Sequence, residues 1–352
     1  MKGRIILGSL KGTKLRSEHS IHRYYLFFFL LLTLAYRKTY LSKQPLTVPF
    51  TFTVYLCGWK YHEFAEAVFP EARVREWGPG ILSFSALDVL IASTPCDPLS
   101  TRGFPGSILY VDGEPGQMNK FEHPRVYYLG VKHPPNTVNA SLQLFHVAHS
   151  TLFHPYSATD FLHVHPPKLA PNFLMYVNSN CVQFREDAFD AIVQLAALHN
   201  FPKPAAAGKC HGKHPEFSIF SNDRSERLAN IVDKFSSYRF ALVMENSKVD
   251  GYITEKIANA IIAGCIPIYY GTPEVFNIFN KDRFIFYDIQ HPESALEQVS
   301  LLESNHTAIL EMLNLPILAQ GEVTLRRFFS LSDDIGGGLL KYRIRRMIGL
   351  QS

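Results

Sequence analysis

Between Tyr238 and Asp288 an apolar run, a polar elbow, a helical repeat and a second apolar run follow one another without a break. That order dictates a βαβ unit, because two parallel strands must be joined by a crossover that is usually a helix. Phe240 to Met244 is too short and too apolar for a surface helix and reads as a buried parallel strand. Glu245, Asn246 and Ser247 follow where such a strand ends, at the edge where open α/β sheets bind ligands. Beyond the elbow Thr254 takes the N-cap position, Ile257, Ala260, Ile261 and Gly264 share one face at helical spacing, and Pro267 helps stop the helix. Amides exposed at such a helix start attract phosphate. Lys256 in the first turn opposes the helix dipole on its own, so its placement makes sense beside an anion.

A second elbow lies upstream. Phe173 to Val177 reads as a strand, Asn178-Ser179-Asn180-Cys181 as its turn, and Arg185 to Leu198 as a helix with Ala188, Ile192 and Leu195 on one face. Local residues leave Arg185 open between a phosphate fork and a solvated arginine beside Glu186 and Asp187. Before this half, Thr51 to Cys57, Leu87 to Ala92 and Ser107 to Val111 read as strands and Tyr61 to Phe69 as a helix. A Pro- and His-rich region from His133 to Lys168 ends in a domain linker, giving α/β domains over 50–167 and 168–352. Later, Phe284 to Tyr287 reads as a strand, Glu293 to Glu303 and Ala308 to Leu315 as helices, and Leu339 to Met347 as a basic helical tail. A chain of 352 residues accommodates two such cores. Its net charge of +4 is mild and its aromatics fall inside strand-like runs, which argues against a nucleic-acid partner.

The N-terminus has its own logic. Residues 24–36 carry no charge and follow the basic residues Lys2, Arg4, Lys11, Lys14, Arg16 and Arg23, a pattern expected of a cytoplasmic tail over 1–23 and a signal anchor over 24–36. A stem over 37–49 follows. The run is shorter than the about 20 residues of a full span, which leaves a cleaved signal or a misassigned start as alternatives. Asn139-Ala140-Ser141 and Asn305-His306-Thr307 are glycosylation sequons that agree with a lumenal body. Cys57, Cys96, Cys181, Cys210 and Cys265 are too few for a disulfide scaffold, and their odd number leaves at least one thiol free. None of them has zinc spacing.

The segments MENSKVDGYITEK and GCIPIYYGTPEVF resemble the donor-binding core of the α1,3/α1,4-fucosyltransferases, glycosyltransferase family 10. Ser179, Asn180 and Arg185 keep the spacing of a second element of that family, and Gly208-Lys209-Cys210 is similar to its Gly-x-Cys segment. The resemblance implies a GT-B architecture, two Rossmann-like domains facing a cleft, behind the membrane anchor. It implies an inverting α1,3-transfer of fucose from GDP-fucose to a GlcNAc-type hydroxyl of an oligosaccharide or glycoprotein, by a single-pass type II Golgi protein. By the same resemblance Arg185, Tyr252, Glu255 and Lys256 contact the donor, with Glu245, Asn246 and Thr254 lining the elbow. Glu114, in Asp112-Gly113-Glu114-Pro115, is the implied base, with Asp112 as the competing carboxylate. No metal is required, because Arg185, Lys256 and helix amides supply the positive charge; Mn²⁺ stimulation stays open, and adjacent Asp333-Asp334 reads as a loop feature. Cys181 and Cys210 form either a bridge or a free pair. Met244 replaces an aromatic residue, and the His-His-Arg acceptor motif has no counterpart here, which leaves the acceptor open. A GT-B transferase for another nucleotide sugar and a catalytically inactive lectin-like relative are the alternatives.

Overall fold

The computed structural model describes residues 51–59, 61–81, 83–115, 123–130, 141–142, 148, 151–152, 157–163, 167–219 and 231–350. The expected tail, anchor and stem, and Asn139 of the first sequon, lie outside the described residues. Among the described residues no helix is long and apolar enough to cross a membrane.

Two fully parallel sheets carry the fold. The first contains β1 (Thr53–Cys57), β2 (Arg73–Glu76), β3 (Val89–Ala92), β4 (Ser107–Asp112), β5 (Val126–Gly130) and β6 (Ser141–Leu142), in the order β2-β1-β3-β4-β5-β6. The second contains β7 (Asn172–Asn178), β8 (Ala205–Gly208), β9 (Tyr238–Met244), β10 (Ile266–Tyr270) and β11 (Ile285–Phe286), in the order β11-β10-β9-β7-β8. Both start with the same winding. The first strand of each lies between the second and the third, so each sheet has a switch point, between β1 and β3 and between β7 and β9.

Side chains alternate across the central strands, with apolar residues on both faces, as a parallel sheet covered on each side requires. In β9, Phe240, Leu242 and Met244 pack on one side with α2 (Gln183–Leu198), α5 (Glu293–Glu303) and α6 (His306–Leu313). Ala241 and Val243 face the other side, with α3 (Ile231–Phe235), α4 (Glu255–Ile262) and α7 (Glu322–Phe328). In the first sheet Val54, Ile91 and Leu109 pack with α1 (His62–Val68), while Tyr55, Leu90 and Tyr110 face an aromatic group of Trp77, Phe84 and Phe104. Trp77 stacks on Phe84 with centroids 5.3 Å apart.

The basic tail expected from Leu339 is α8 (Leu339–Met347), and it returns to the first sheet's core through Leu340, Ile344 and Ile348. Arg345 locks it there, donating to Val68 O (3.0 Å) and pairing with Glu71 at 2.6 Å. Pro267 does not stop α4. It lies within β10, paired in register with Ala241, and the turn after the helix is made by Gly264 at φ +83°. Strands β2 and β8 escape pattern reading because β2 is mostly exposed Arg-Val-Arg-Glu and β8 is Ala-Ala-Ala-Gly, a poor strand former held by burial.

Buried Arg239 fastens the start of the second sheet. Its guanidinium forms a fork with the buried Glu303 carboxylate, Nε to Oε2 at 2.8 Å, and donates to Ala170 O and Pro171 O at 2.8 and 2.9 Å. Removing the carboxylate strands a buried cation. Glu303→Ala is expected to lower stability by about 3–5 kcal/mol in denaturant unfolding, whereas Glu297→Ala on the exposed face of α5 stays within about 0.5 kcal/mol.

Candidate active site

The carboxyl ends of β7 and β9 flank the second switch point, and the elbows that leave them are tied together from inside. Arg185, in the first turn of α2, is 2% exposed and turned inward. Its Nη1 donates to Asn180 O in its own elbow (3.1 Å), its Nε to Glu245 O (3.3 Å) and its Nη2 to Met244 O at the end of β9. Burial lowers its pKa below the ordinary arginine value, with Tyr176 and Glu245 opposing that shift. The side chain expected to present an outward phosphate fork thus holds the two elbows in register through their carbonyls.

Glu245, directly after β9, is fully buried and its carboxylate faces the residue that caps α4. Its Oε1 accepts from Thr254 N at 2.7 Å, and the Thr254 hydroxyl donates to the carboxylate at 2.9 Å. Lys256 Nζ donates to Glu245 Oε2 at 3.1 Å and to Thr254 Oγ1 at 2.8 Å. Thr254 occupies the N-cap, but its hydroxyl makes no capping bond to the helix backbone because it serves this triad. The anion that Lys256 calls for is therefore present within the chain. Burial pushes the Lys256 ammonium down and the Glu245 carboxylate more than offsets this, leaving its pKa above the ordinary 10.5. For a raised amine the stabilisation is complete below the unfolded value and fades only as pH climbs through the folded one, so the pair is intact throughout the neutral range. The Lys256 side chain remains 28% exposed, which leaves its charge in reach of a ligand at the elbow. Glu255 and Asn246 are half-buried at the same place.

Two residues that sequence reasoning gave no role brace this edge. Glu274, in the GTPEVF segment, accepts from Gly251 N and fixes the spacer before Tyr252. Glu186, named in the sequence only as a neighbour of Arg185, accepts from Tyr176 Oη (2.6 Å), His211 N (3.1 Å) and Gly212 N (2.7 Å), holding the turn after β8. Cys181 and Cys210 form a disulfide, which closes the alternative left open by the sequence, and Cys57–Cys96 is a second bridge. Each bridge ties turns at the carboxyl edge of its own sheet. Although Cys181, Cys210 and Glu186 cluster closely enough to suggest a metal site, the sulfurs are already bonded to each other and offer no thiolate. Cys265 is the free cysteine among the described residues, and burial pushes its thiol well up, which leaves it inert. Asp333 pairs with Lys341 at 2.7 Å, in keeping with a loop role.

Glu114 leaves the carboxyl edge of β4 in the first sheet with its side chain exposed. Asp112 is buried, accepting from Glu114 N (2.9 Å) and from Tyr110 Oη (3.3 Å), which engages both of its oxygens in bracing the turn. Across from it, the Tyr252 hydroxyl of the second elbow lies 3.4 Å from Glu114 Oε2. Burial pushes the Tyr252 phenol well above its ordinary pKa, with Glu245 and Glu114 adding to the shift, so it remains a donor. The structure thus brings Glu114, Tyr252, Thr254, Glu245 and Lys256 together around one edge and sets Arg185 beneath it.

Residues 171–314 match the family model described as glycosyltransferase family 10 (fucosyltransferase) C-term. Over 93 residues, 26% of this chain, the sequence is 38% identical to the alpha-(1,3)-fucosyltransferase FucT of Helicobacter pylori, and over 137 residues, 38% of this chain, it is 27% identical to the GDP-fucose protein O-fucosyltransferase 3 of Bos taurus. These alignments span 20% and 27% of the relatives' own lengths. The fold is similar to a crystal structure of an alpha1,3-fucosyltransferase, with a TM-score of 0.58 at 18% identity over 88% of this chain and 93% of that one.

Arg185→Lys is the direct check on the inward reading. A lysine cannot serve carbonyls of both elbows in a fork, and the carbonyls it leaves unpaired are expected to cost about 2 kcal/mol or more in unfolding experiments. A solvated arginine would change stability by less than about 0.5 kcal/mol.

Proposed function

We propose, on the premise that residues 171–314 are the C-terminal domain of a glycosyltransferase family 10 fucosyltransferase, that the chain transfers fucose from GDP-fucose to a sugar hydroxyl with inversion. The observation that carries this reading is the approach of Glu114, from the first sheet, to Tyr252 at the donor elbow of the second. It sets an exposed carboxylate against the place where the sugar-phosphate bond would lie.

In this mechanism Glu114 takes the proton of the acceptor hydroxyl as its oxygen attacks the anomeric carbon and the bond to the diphosphate breaks on the opposite face. Asp112 serves the turn, which leaves Glu114 as the base. Lys256 and the amides at the start of α4 neutralise the departing diphosphate, and the buried charge of Arg185 acts from behind the elbow. Tyr252, Glu255 and Asn246 orient the donor, while Glu245 and Thr254 hold Lys256 in place. No metal is needed, since protein cations and amides meet the developing charge. The linkage is α1,3 and the acceptor a GlcNAc-type hydroxyl of a glycoprotein glycan. The body lies in the Golgi lumen behind a type II anchor, a setting in which the bridges Cys57–Cys96 and Cys181–Cys210 persist.

A second reading of the acceptor is favoured by the similarity to protein O-fucosyltransferase 3, which directs attention to a protein hydroxyl. An acceptor array of N-glycans and folded protein domains separates the two. A donor-hydrolysis screen with GDP-fucose, GDP-mannose and UDP-sugars tests the central claim, and preference for any donor but GDP-fucose refutes it. Glu114→Gln is expected to lower kcat by about 10²–10⁴-fold with donor binding retained. A lectin-like protein would bind its ligand unchanged in that variant and show no turnover in either form.

A further inference from the structure

The second sheet's switch point holds the donor elbow, and the first sheet has an equivalent one, between β1 and β3. What stands there is Trp59. Its ring is 67% exposed, although tryptophan carries the largest apolar surface of any side chain. Its backbone, by contrast, is firmly held. Gly58 turns the chain at φ +91°, where a Cβ would run into the Ser93 carbonyl, so only glycine fits. The buried Ser93 hydroxyl accepts from Trp59 N at 2.7 Å, and Ser93 N donates to Cys57 O at 2.9 Å. The Cys57–Cys96 bridge clamps the same two strand ends.

An indole held out on a rigid turn is preorganised for a flat, apolar-faced ligand, because little order remains to be imposed when the ligand arrives. Its position narrows the ligand further. β1 and β4 are separated by one strand, so their carboxyl ends lie about 10 Å apart, close to the span of one or two sugar rings. Tyr61, two residues beyond Trp59, feels the charges of both Asp112 and Glu114, which raise its phenol pKa after the larger effect of burial. The Trp59 turn thus lies at the same carboxyl edge of the first sheet as the base, one strand removed from it.

We infer that Trp59 is the acceptor platform of the first domain, stacking the apolar face of a pyranose so that a hydroxyl of that sugar, or of the ring next to it, reaches Glu114. This rests on the transferase reading for the identity of the reaction, but not for the binding of sugar itself.

The chain has two tryptophans, Trp77 being stacked on Phe84, so a sugar-dependent change in emission is assigned to Trp59 by its loss in Trp59→Phe. Titration of the full chain with N-acetyllactosamine and, separately, with diacetylchitobiose is expected to quench emission in at least one case, and the quench is expected to vanish in Trp59→Phe. In turnover assays Trp59→Ala should raise the acceptor KM about tenfold or more, with GDP-fucose hydrolysis unchanged and with recovery in Trp59→Tyr. No quench with either sugar, or an unchanged acceptor KM in Trp59→Ala, overturns the inference. So does a parallel fall in donor hydrolysis, which would mean that the substitution disturbs the fold. A chain that quenches with sugar yet consumes no GDP-fucose would uphold the platform and refute the transferase reading.

Discussion

The carboxylate of Glu245 is the group on which the site depends. It is buried at the end of a central strand, where an unpaired charge would cost several kcal/mol, and every partner that compensates it is part of the elbow: the Thr254 amide, the Thr254 hydroxyl and the Lys256 ammonium. Those bonds fix where α4 begins. They also explain a lysine in a first helical turn without reference to any ligand, since the helix amide and the lysine converge on an anion supplied by the chain eleven residues earlier. Arg185 extends the constraint to the neighbouring elbow by gripping the carbonyls of Met244, Glu245 and Asn180. The edge of the second sheet is consequently formed without any ligand, as the proposed electrostatic stabilisation of a leaving group requires.

The first sheet meets this edge by a different device. Its strands repeat the winding of the second sheet and a disulfide braces its edge as well, but a glycine turn and a serine hydroxyl stand where the second sheet has an ion pair. The last helix, α8, closes the chain onto the first sheet through Arg345, Glu71 and the contact of Ser107 Oγ with Ile348 O (3.2 Å). The first and last described elements of the chain therefore share one core. Among the described residues, Glu114 and Tyr252 form a contact between the two edges.

Much of this was legible in the sequence because parallel strands advertise themselves. The apolar run before Glu245, the repeat through Ile257, Ala260 and Ile261, and the helix over Leu339–Met347 appear in the structure as read. Short elements without a pattern were not legible: β8 is made of alanines that only burial turns into a strand, and β2 is an exposed edge. Pro267 misled because a proline near the start of a strand resembles a helix stop when only the chain order is visible. The orientation of Arg185 was beyond reach for a plainer reason. Whether a guanidinium faces a ligand or three carbonyls depends on the distance between two elbows about sixty residues apart, as its bond to Glu245 O records. The same limit applies to Cys57 and Cys96, whose bridge spans 39 residues.

The pairing of Lys256 with Glu245 also bears on how a transferase of the proposed kind would release its product. A bare ammonium at a helix N-terminus would bind a diphosphate tightly before and after transfer alike, and such uniform binding lowers KM without raising kcat. A cation already balanced by a buried carboxylate attracts the diphosphate less at every stage, in the bound donor and in the spent nucleotide alike. Its attraction for the bridging oxygen grows as negative charge develops there, and the partly exposed ammonium keeps Glu245 as its partner throughout. The burial of Glu245 would thereby ease release of the spent nucleotide, and the elbow's internal anion becomes part of the proposed chemistry as well as of the fold.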